Sequence, residues 1–62
     1  MKADFSFEPN RNLIIINQSN YERFCMYMSW ARENNDLYYV FNSGVLMYKN
    51  AAARDWFLLK WN

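Results

Sequence analysis

The longest periodic stretch of apolar positions spans residues 19–35 and predicts a helix. Apolar side chains recur there at helical spacing, which places them on one face. Ser19 and Glu22 stand in the order of a capping box, so we expect the helix to begin at Ser19. Asn34 and Asn35 tolerate the left-handed conformation that ends many helices. The predicted inward face consists of Tyr21, Phe24, Cys25, Tyr27, Met28 and Ala31.

Two strands are predicted ahead of this helix. Residues 3–8 alternate apolar and polar positions, with Phe5 and Phe7 on the same side. Residues 13–16 are an uninterrupted apolar run, which is typical of a strand that is covered on both faces and therefore central in its sheet. Pro9 and Asn10 lie between the two runs and indicate a turn.

A β-hairpin is predicted after the helix, from residues 37–41 and 45–49. The loop Asn42-Ser43-Gly44 fits a type I turn followed by a left-handed glycine. We expect one face of the hairpin to be covered by the helix and the other to be covered or to bind a partner, because both faces are apolar. The predicted pairs are Tyr39–Met47 and Phe41–Val45 on one face, and Tyr38–Tyr48 and Val40–Leu46 on the other.

Asn50 is a suitable N-cap for a second helix over residues 51–57, and residues 58–61 are then expected to form a strand. The order β–α–β–β–α–β, with an optional N-terminal strand, favours a single α+β domain over residues 1–62, a ferredoxin-like antiparallel sheet packed on one main helix. If residues 5–7 pair with residues 13–16, this hairpin takes the place of the C-terminal strand. The alternative order is then ββαββα.

Composition indicates a domain with more aromatic rings than it can bury. The chain has 62 residues, of which 53% are hydrophobic and 21% aromatic. A chain of this length has too small a core for all of these rings, so some lie at the surface. Partner binding or self-association is therefore the first expectation for its function.

Two groups of residues are candidate partner contacts. Met26 and Trp30 are helical neighbours on the side opposite the apolar face, with Arg23 beside them, and these residue types are enriched at interfaces. In the alternative interpretation, a terminal segment folds over Met26 and Trp30 and buries them. The second candidate surface consists of Tyr38, Tyr48 and Trp61.

The sequence offers little for catalysis, so we expect a protein that is not an enzyme. It has no histidine, its acidic residues are scattered, and Cys25 has no activating base nearby in the sequence. These residues also provide no set of ligands for a metal, and a single glycine cannot form a phosphate-binding loop. We therefore expect no metal and no cofactor.

Nucleic-acid binding is an alternative function. Aromatic rings on a sheet could stack on bases, with Tyr48 as the candidate ring. The phosphate contacts would then be Arg11, Lys49, Arg54 and Lys60. The net charge of +1 is low for this class of protein, so a protein partner is favoured. A self-assembling structural protein, such as a homo-oligomer or a virion component, is the remaining alternative, and the surplus of aromatic residues fits it too.

The lone Cys25 cannot form an internal disulfide, and no signal sequence follows Met1. The apolar runs are far shorter than the roughly 20 residues of a membrane-spanning helix. We therefore expect a cytoplasmic protein without a membrane partner.

Residues 45–61, VLMYKNAAARDWFLLKW, resemble the strand–cap–helix–strand ending of small accessory proteins of tailed bacteriophages. The resemblance implies a viral protein in the cytoplasm of its host, which acts as an inhibitor or adaptor by binding a host or viral protein. It also implies that the chain ends with a strand that closes the sheet.

Overall fold

The computed structural model describes residues 4–61, and within them the elements follow in the order ββαββα. The strands are β1 (Phe5–Glu8), β2 (Leu13–Ile16), β3 (Tyr38–Asn42) and β4 (Val45–Tyr48). The helices are α1 (Tyr21–Glu33) and α2 (Ala51–Trp61), and a 3-10 turn, Pro9–Arg11, joins β1 to β2. The first predicted strand included residue 3, which lies outside the described residues.

The strands form one antiparallel sheet in the order β1-β2-β4-β3. The α+β class is confirmed, as is the alternative order ββαββα, whereas the favoured ferredoxin-like order is wrong. The reason is the β1–β2 hairpin, which fills the sheet position beside β2 that the C-terminal strand would have taken. As predicted, β2 lies inside the sheet, between β1 and β4. The expectation that both of its faces are covered is wrong at Ile15, which is 36% exposed.

Residues 58–61 continue α2 and do not form a strand, so the closing strand implied by the phage resemblance is absent. Leucine and lysine are good helix formers, and the spacing of Ala53, Phe57 and Trp61 places all three on one side of α2. Ala53 and Phe57 are buried in the core, and Trp61 packs against it. Asn50 begins the helix as predicted, because its Oδ1 accepts from the backbone N–H of Ala53 at 2.9 Å.

Both strand hairpins depend on residues with a left-handed backbone. Asn12 has φ 56° after the 3-10 turn, and Gly44 has φ 78° at the end of the β3–β4 loop. The predicted left-handed glycine is thus confirmed. The predicted pair Phe41–Val45 is wrong, because a bulge between Val40 and Asn42 places Asn42 opposite Val45.

The boundaries of α1 differ from the prediction at both ends. The N-cap is Asn20, not Ser19, and its Oδ1 accepts from the backbone N–H of Arg23 at 3.2 Å. Asn34 ends the helix with φ −114°, which is not left-handed. Its side-chain amide instead donates to the carbonyl oxygen of Trp30 at 2.8 Å.

The core lies between one face of the sheet and the two helices. Phe57 is fully buried at its centre, and its ring makes edge contacts with the ring of Phe5 at 4.9 Å and that of Trp30 at 5.8 Å. The inward face of α1 is rotated from the predicted one: Tyr21 is exposed, whereas Trp30, which was placed on the opposite side, packs against the core. The buried residues of this core are Ile14, Ile16, Tyr27, Met28, Ala31, Tyr38, Leu46, Tyr48, Ala53 and Phe57.

Candidate functional site

The sheet face that points away from the helices carries exposed apolar side chains, although Leu13 on this face is only 4% exposed. Side chains alternate between the two faces of a strand, so the residues between the core positions form this second face. We call it the open face. It consists of Ser6, Glu8, Leu13, Ile15, Tyr39, Phe41, Asn42, Val45 and Met47.

The register arranges the open face in two rows across the sheet. One row runs through Glu8, Leu13, Met47 and Tyr39, and the other through Ser6, Ile15, Val45 and Asn42. The polar residues Ser6 and Glu8 lie on β1. The apolar side chains therefore lie toward the opposite edge, at β3.

Two rings dominate this surface. Tyr39 is 65% exposed, Phe41 is 56% exposed and the neighbouring Ile15 is 36% exposed. The bulge places both Phe41 and Asn42 opposite Val45, so the ring of Phe41 adds to the open face. A sheet that leaves such side chains uncovered can bind an apolar surface without any rearrangement of its own fold.

One ion pair lies at the β1 side of the open face. Arg11 Nη2 lies 2.7 Å from Glu8 Oε1, at the turn between β1 and β2. This exposed pair neutralises both groups at the β1 side of the face.

The first predicted contact group, Arg23, Met26 and Trp30, is only partly at the surface. The ring of Trp30 packs between the helices, with centroid distances of 5.3 Å to Trp56 and 5.9 Å to Trp61. The interpretation that a terminal segment folds over Trp30 is therefore confirmed, and that segment is α2. The same interpretation also predicts that Met26 is buried, and this part is wrong, because Met26 is 47% exposed.

Arg23 is held in a polar cluster that connects α1 to the start of β1. Its Nε donates to Asp4 Oδ2 at 2.6 Å, and its Nη2 donates to the Tyr27 hydroxyl at 2.9 Å. The Tyr27 hydroxyl in turn donates to Asp4 Oδ2 at 2.9 Å. The hydrogen bond from Tyr27, together with the nearby guanidinium, lowers the pKa of Asp4. The hydrogen bonds to Tyr27 and Asp4 raise the pKa of Arg23, and burial raises the pKa of Tyr27.

The second predicted surface does not form. Tyr38 and Tyr48 are each 3% exposed and belong to the core, so the expectation of a surface there is wrong. Trp61 packs against Tyr27 with a centroid distance of 4.5 Å, and its buried Nε1 has no hydrogen-bond partner among residues 4–61. The rings that face away from the helices are those of Tyr39 and Phe41, which were not among the predicted contacts. Whether Arg23, Met26 or Trp61 contacts a partner stays a prediction.

Two grooves border β3. One, of about 350 Å³, lies at the end of β3 and β4 and includes both Asp36 and Lys49. The other, of about 380 Å³, lies between α1 and β3. We call it the α1–β3 groove; its lining includes Phe24, Cys25, Met28, Arg32, Val40 and Ser43.

Within residues 4–61, no three histidine, cysteine, aspartate or glutamate side chains come together as a metal site would require. No helix in this part of the chain has the length and apolar character needed to cross a membrane.

Comparison with known proteins identifies no relative of this chain. No protein-family model matches it, and neither the curated proteins nor the solved structures include a significant match.

Proposed function

We propose that the protein is a non-enzymatic binding module that docks the apolar surface of another protein on its open face. The exposure of Tyr39 and Phe41 on a sheet whose other face is already covered by both helices is the observation that supports this proposal. Aromatic side chains in such a position are the residue types that contribute most to protein–protein affinity.

The exposed area favours a different protein over a second copy of the chain. Tyr39, Phe41 and Ile15 together expose on the order of 300 Å² of side chain. A stable interface buries about 800 Å² on each partner. Two copies that met only through their open faces would therefore associate weakly, and a tightly bound partner must extend beyond the face.

Nucleic acid is a weaker candidate for this surface. Two of the proposed phosphate contacts are already paired, Arg11 with Glu8 and Arg54 with Asp55. Tyr48, the proposed stacking ring, is buried. The cross-strand neighbours of the exposed rings are apolar, because Tyr39 lies opposite Met47 and the bulge places Phe41 with Asn42 opposite Val45. Lys49, another proposed phosphate contact, lines one groove together with Tyr39, but Asp36 lies in the same lining.

The resemblance of residues 45–61 to phage accessory proteins supports a more specific form of the proposal. In this form the protein is a viral inhibitor or adaptor that acts in the host cytoplasm on a host or viral protein. Its strand and helix, β4 and α2, match the pattern of that resemblance, although the closing strand does not.

Site-specific photo-crosslinking would test the proposal. A photoreactive phenylalanine analogue is placed at position 39, at position 41, or at position 59 as the control, because Leu59 is 81% exposed on α2. We expect the same protein to be crosslinked from positions 39 and 41 in nuclease-treated lysate, but not from position 59. Equal crosslinking from all three positions, or loss of the product on nuclease treatment, would contradict the proposal.

A crosslinked protein supports the proposal only after purification and a direct binding measurement. The double variant Tyr39→Ser/Phe41→Ser is expected to bind it about tenfold more weakly or worse. Leu59→Ser removes a similarly exposed apolar side chain from α2 and is expected to leave the affinity unchanged. If the crosslinked product is a dimer of this chain, the partner is a second copy and the proposal of a different protein is wrong.

A further inference from the structure

The edge of the sheet beside the α1–β3 groove has unpaired backbone groups. Among the described residues, β3 pairs only with β4 and is therefore an edge strand. The backbone N–H of Lys49 donates to the carbonyl oxygen of Leu37 at 2.9 Å, which marks these residues as a hydrogen-bonded pair. Because bonded and non-bonded pairs alternate along an antiparallel ladder, the N–H and C=O of Val40 point away from β4.

The side chains next to this edge form an apolar groove with one cation. Phe24 and Met28 on α1 and Val40 on β3 contribute its apolar lining. Arg32 lies in the same lining, which includes no acidic residue. Within residues 4–61, Arg32 forms no ion pair, in contrast to Arg11, Arg23 and Arg54.

The combination of a free strand edge, an apolar groove and an unpaired guanidinium identifies the chemistry of a ligand. From it we infer that the α1–β3 groove binds an extended peptide segment of the partner protein, which adds to β3 as a further strand. Backbone hydrogen bonds to Val40 hold the segment, and its alternate apolar side chains enter the groove. A carboxylate of the segment pairs with Arg32.

The position of Arg32 favours a segment that runs antiparallel to β3. Residues 34–37 are the short connection from α1 to β3, so the last turn of α1, with Arg32, lies near the beginning of β3. A segment that runs antiparallel to β3 brings its carboxyl end to this point. The carboxylate is therefore either the C-terminus of the partner or an aspartate or glutamate near the end of the segment.

Strand addition would also supply the contact area that the open face lacks. The side chains of an added strand that point away from the groove lie beside Tyr39 and Phe41 and extend the apolar rows of the sheet. The inference therefore rests on the proposed function, since it names the form that part of the partner takes. The two are nevertheless tested with different residues.

Short peptides of alternating valine and threonine are suitable probes. One probe has a free C-terminal carboxylate, a second has a C-terminal amide, and a third has the amide with aspartate as its last residue. Binding is followed by the NMR shifts of the Val40 and Arg32 backbone amides and by the reactivity of the Cys25 thiol, which lies in the groove lining. We expect the acidic probes to shift these signals and protect Cys25, whereas the amide alone does neither.

The affinities of the first and third probes distinguish a C-terminal carboxylate from an aspartate side chain as the group that pairs with Arg32. Arg32→Glu is expected to weaken binding of the acidic probes about tenfold or more, because it removes a charge-assisted hydrogen bond. Lys60→Glu makes the same charge change on α2 and is expected to leave the affinity unchanged.

The backbone contacts are tested on the peptide, so that the fold of the protein is not disturbed. N-methylation of the probe amides that face β3 is expected to abolish binding, whereas methylation of the amides on its other edge is tolerated. Failure of all acidic probes to shift Val40 at millimolar concentration would overturn the inference, as would shifts confined to Ile15, Val45 and Tyr39. Either result leaves docking on the open face to be decided by the crosslinking experiment.

Discussion

The hydroxyl of Tyr38 donates a hydrogen bond to the backbone carbonyl oxygen of Ala53 at 2.6 Å and so connects β3 to α2 within the core. Tyr38→Phe removes this bond but keeps the ring, and we expect it to cost about 1 kcal/mol of stability. Urea denaturation measures the loss. Tyr39→Phe is the matched control on the opposite face, where the exposed hydroxyl contributes less than about 0.5 kcal/mol. Equal effects of the two substitutions would show that the Tyr38 bond does not stabilise the fold.

Ionisation of the Tyr38 hydroxyl is expected to reduce the stability of the fold at alkaline pH. Burial raises the pKa of Tyr38 to about 12, above its value of about 10 in the unfolded chain. A raised pKa in the folded state means that the stabilisation is complete below pH 10 and is lost as the pH rises through 12. Thermal melting of the wild type and of Tyr38→Phe between pH 8 and pH 12 measures this effect. We expect the difference in melting temperature between them to shrink toward the alkaline end, and a constant difference would contradict the assignment.

Much of the fold follows from local sequence patterns. The period of α1, the apolar run of β2 and the left-handed Gly44 each indicate their element from a few neighbouring residues. The position beside β2 does not follow in this way, because β1 and a strand from residues 58–61 compete for it. Only the packing of Phe57 and Trp61 against the core, together with the β1–β2 pairing, decides that competition in favour of a C-terminal helix.

The sequence could not predict which face of the β3–β4 hairpin is exposed. The predicted pairs Tyr39–Met47 and Tyr38–Tyr48 are both present. However, each face of this hairpin is apolar, so the pattern alone does not say which face the helices cover. The position of α2 decides which face is covered: Tyr38 donates a hydrogen bond to this helix, so its face of the hairpin is the covered one.

Acidification is expected to weaken the connection between β1 and α1. The hydrogen bond from Tyr27 and the guanidinium of Arg23 lower the pKa of Asp4 in the folded state. A lowered pKa means that the stabilisation is present above the unfolded value of about 3.9 and is lost as the pH falls through the folded value. Asp4→Asn should therefore reduce the melting temperature at pH 6, and its effect should shrink as the pH falls below about 4. Asp36→Asn, at an exposed position, is the control, and an equal response of both variants would contradict this role of Asp4.

Trp30→Ala distinguishes a core role from a contact role for this residue. Its ring packs against Tyr38 at 5.2 Å and against Trp56 at 5.3 Å, so truncation leaves a cavity between the helices. We expect a loss of about 3 kcal/mol, whereas Met26→Ala, one helical turn away and half exposed, should cost less than about 1 kcal/mol. Denaturant titration of both variants measures the difference. An unchanged stability for Trp30→Ala would restore the interpretation of Trp30 as a surface contact.

Position 44 requires glycine, because of both its backbone conformation and its close neighbours. Its φ of 78° is strained for any residue with a Cβ, and a Cβ there would lie 2.6 Å from Gln18 Nε2 and 3.4 Å from the carbonyl oxygen of Ile16. The side chain of Gln18 can move, but the backbone of β2 is fixed, because the Ile16 N–H donates to the Gly44 carbonyl at 2.7 Å. Gly44→Ala is therefore expected to cost about 1–2 kcal/mol, mostly from the backbone strain.

Ser43→Ala, at the neighbouring exposed loop position, is the control and should change the stability by less than about 0.5 kcal/mol. Both variants are compared by urea denaturation and by amide hydrogen exchange at Ile16. If the strain is local to the turn, exchange at Ile16 should accelerate in Gly44→Ala more than exchange at Phe57 in the core. Equal acceleration at both sites would mean that the β3–β4 turn opens only when the whole domain unfolds.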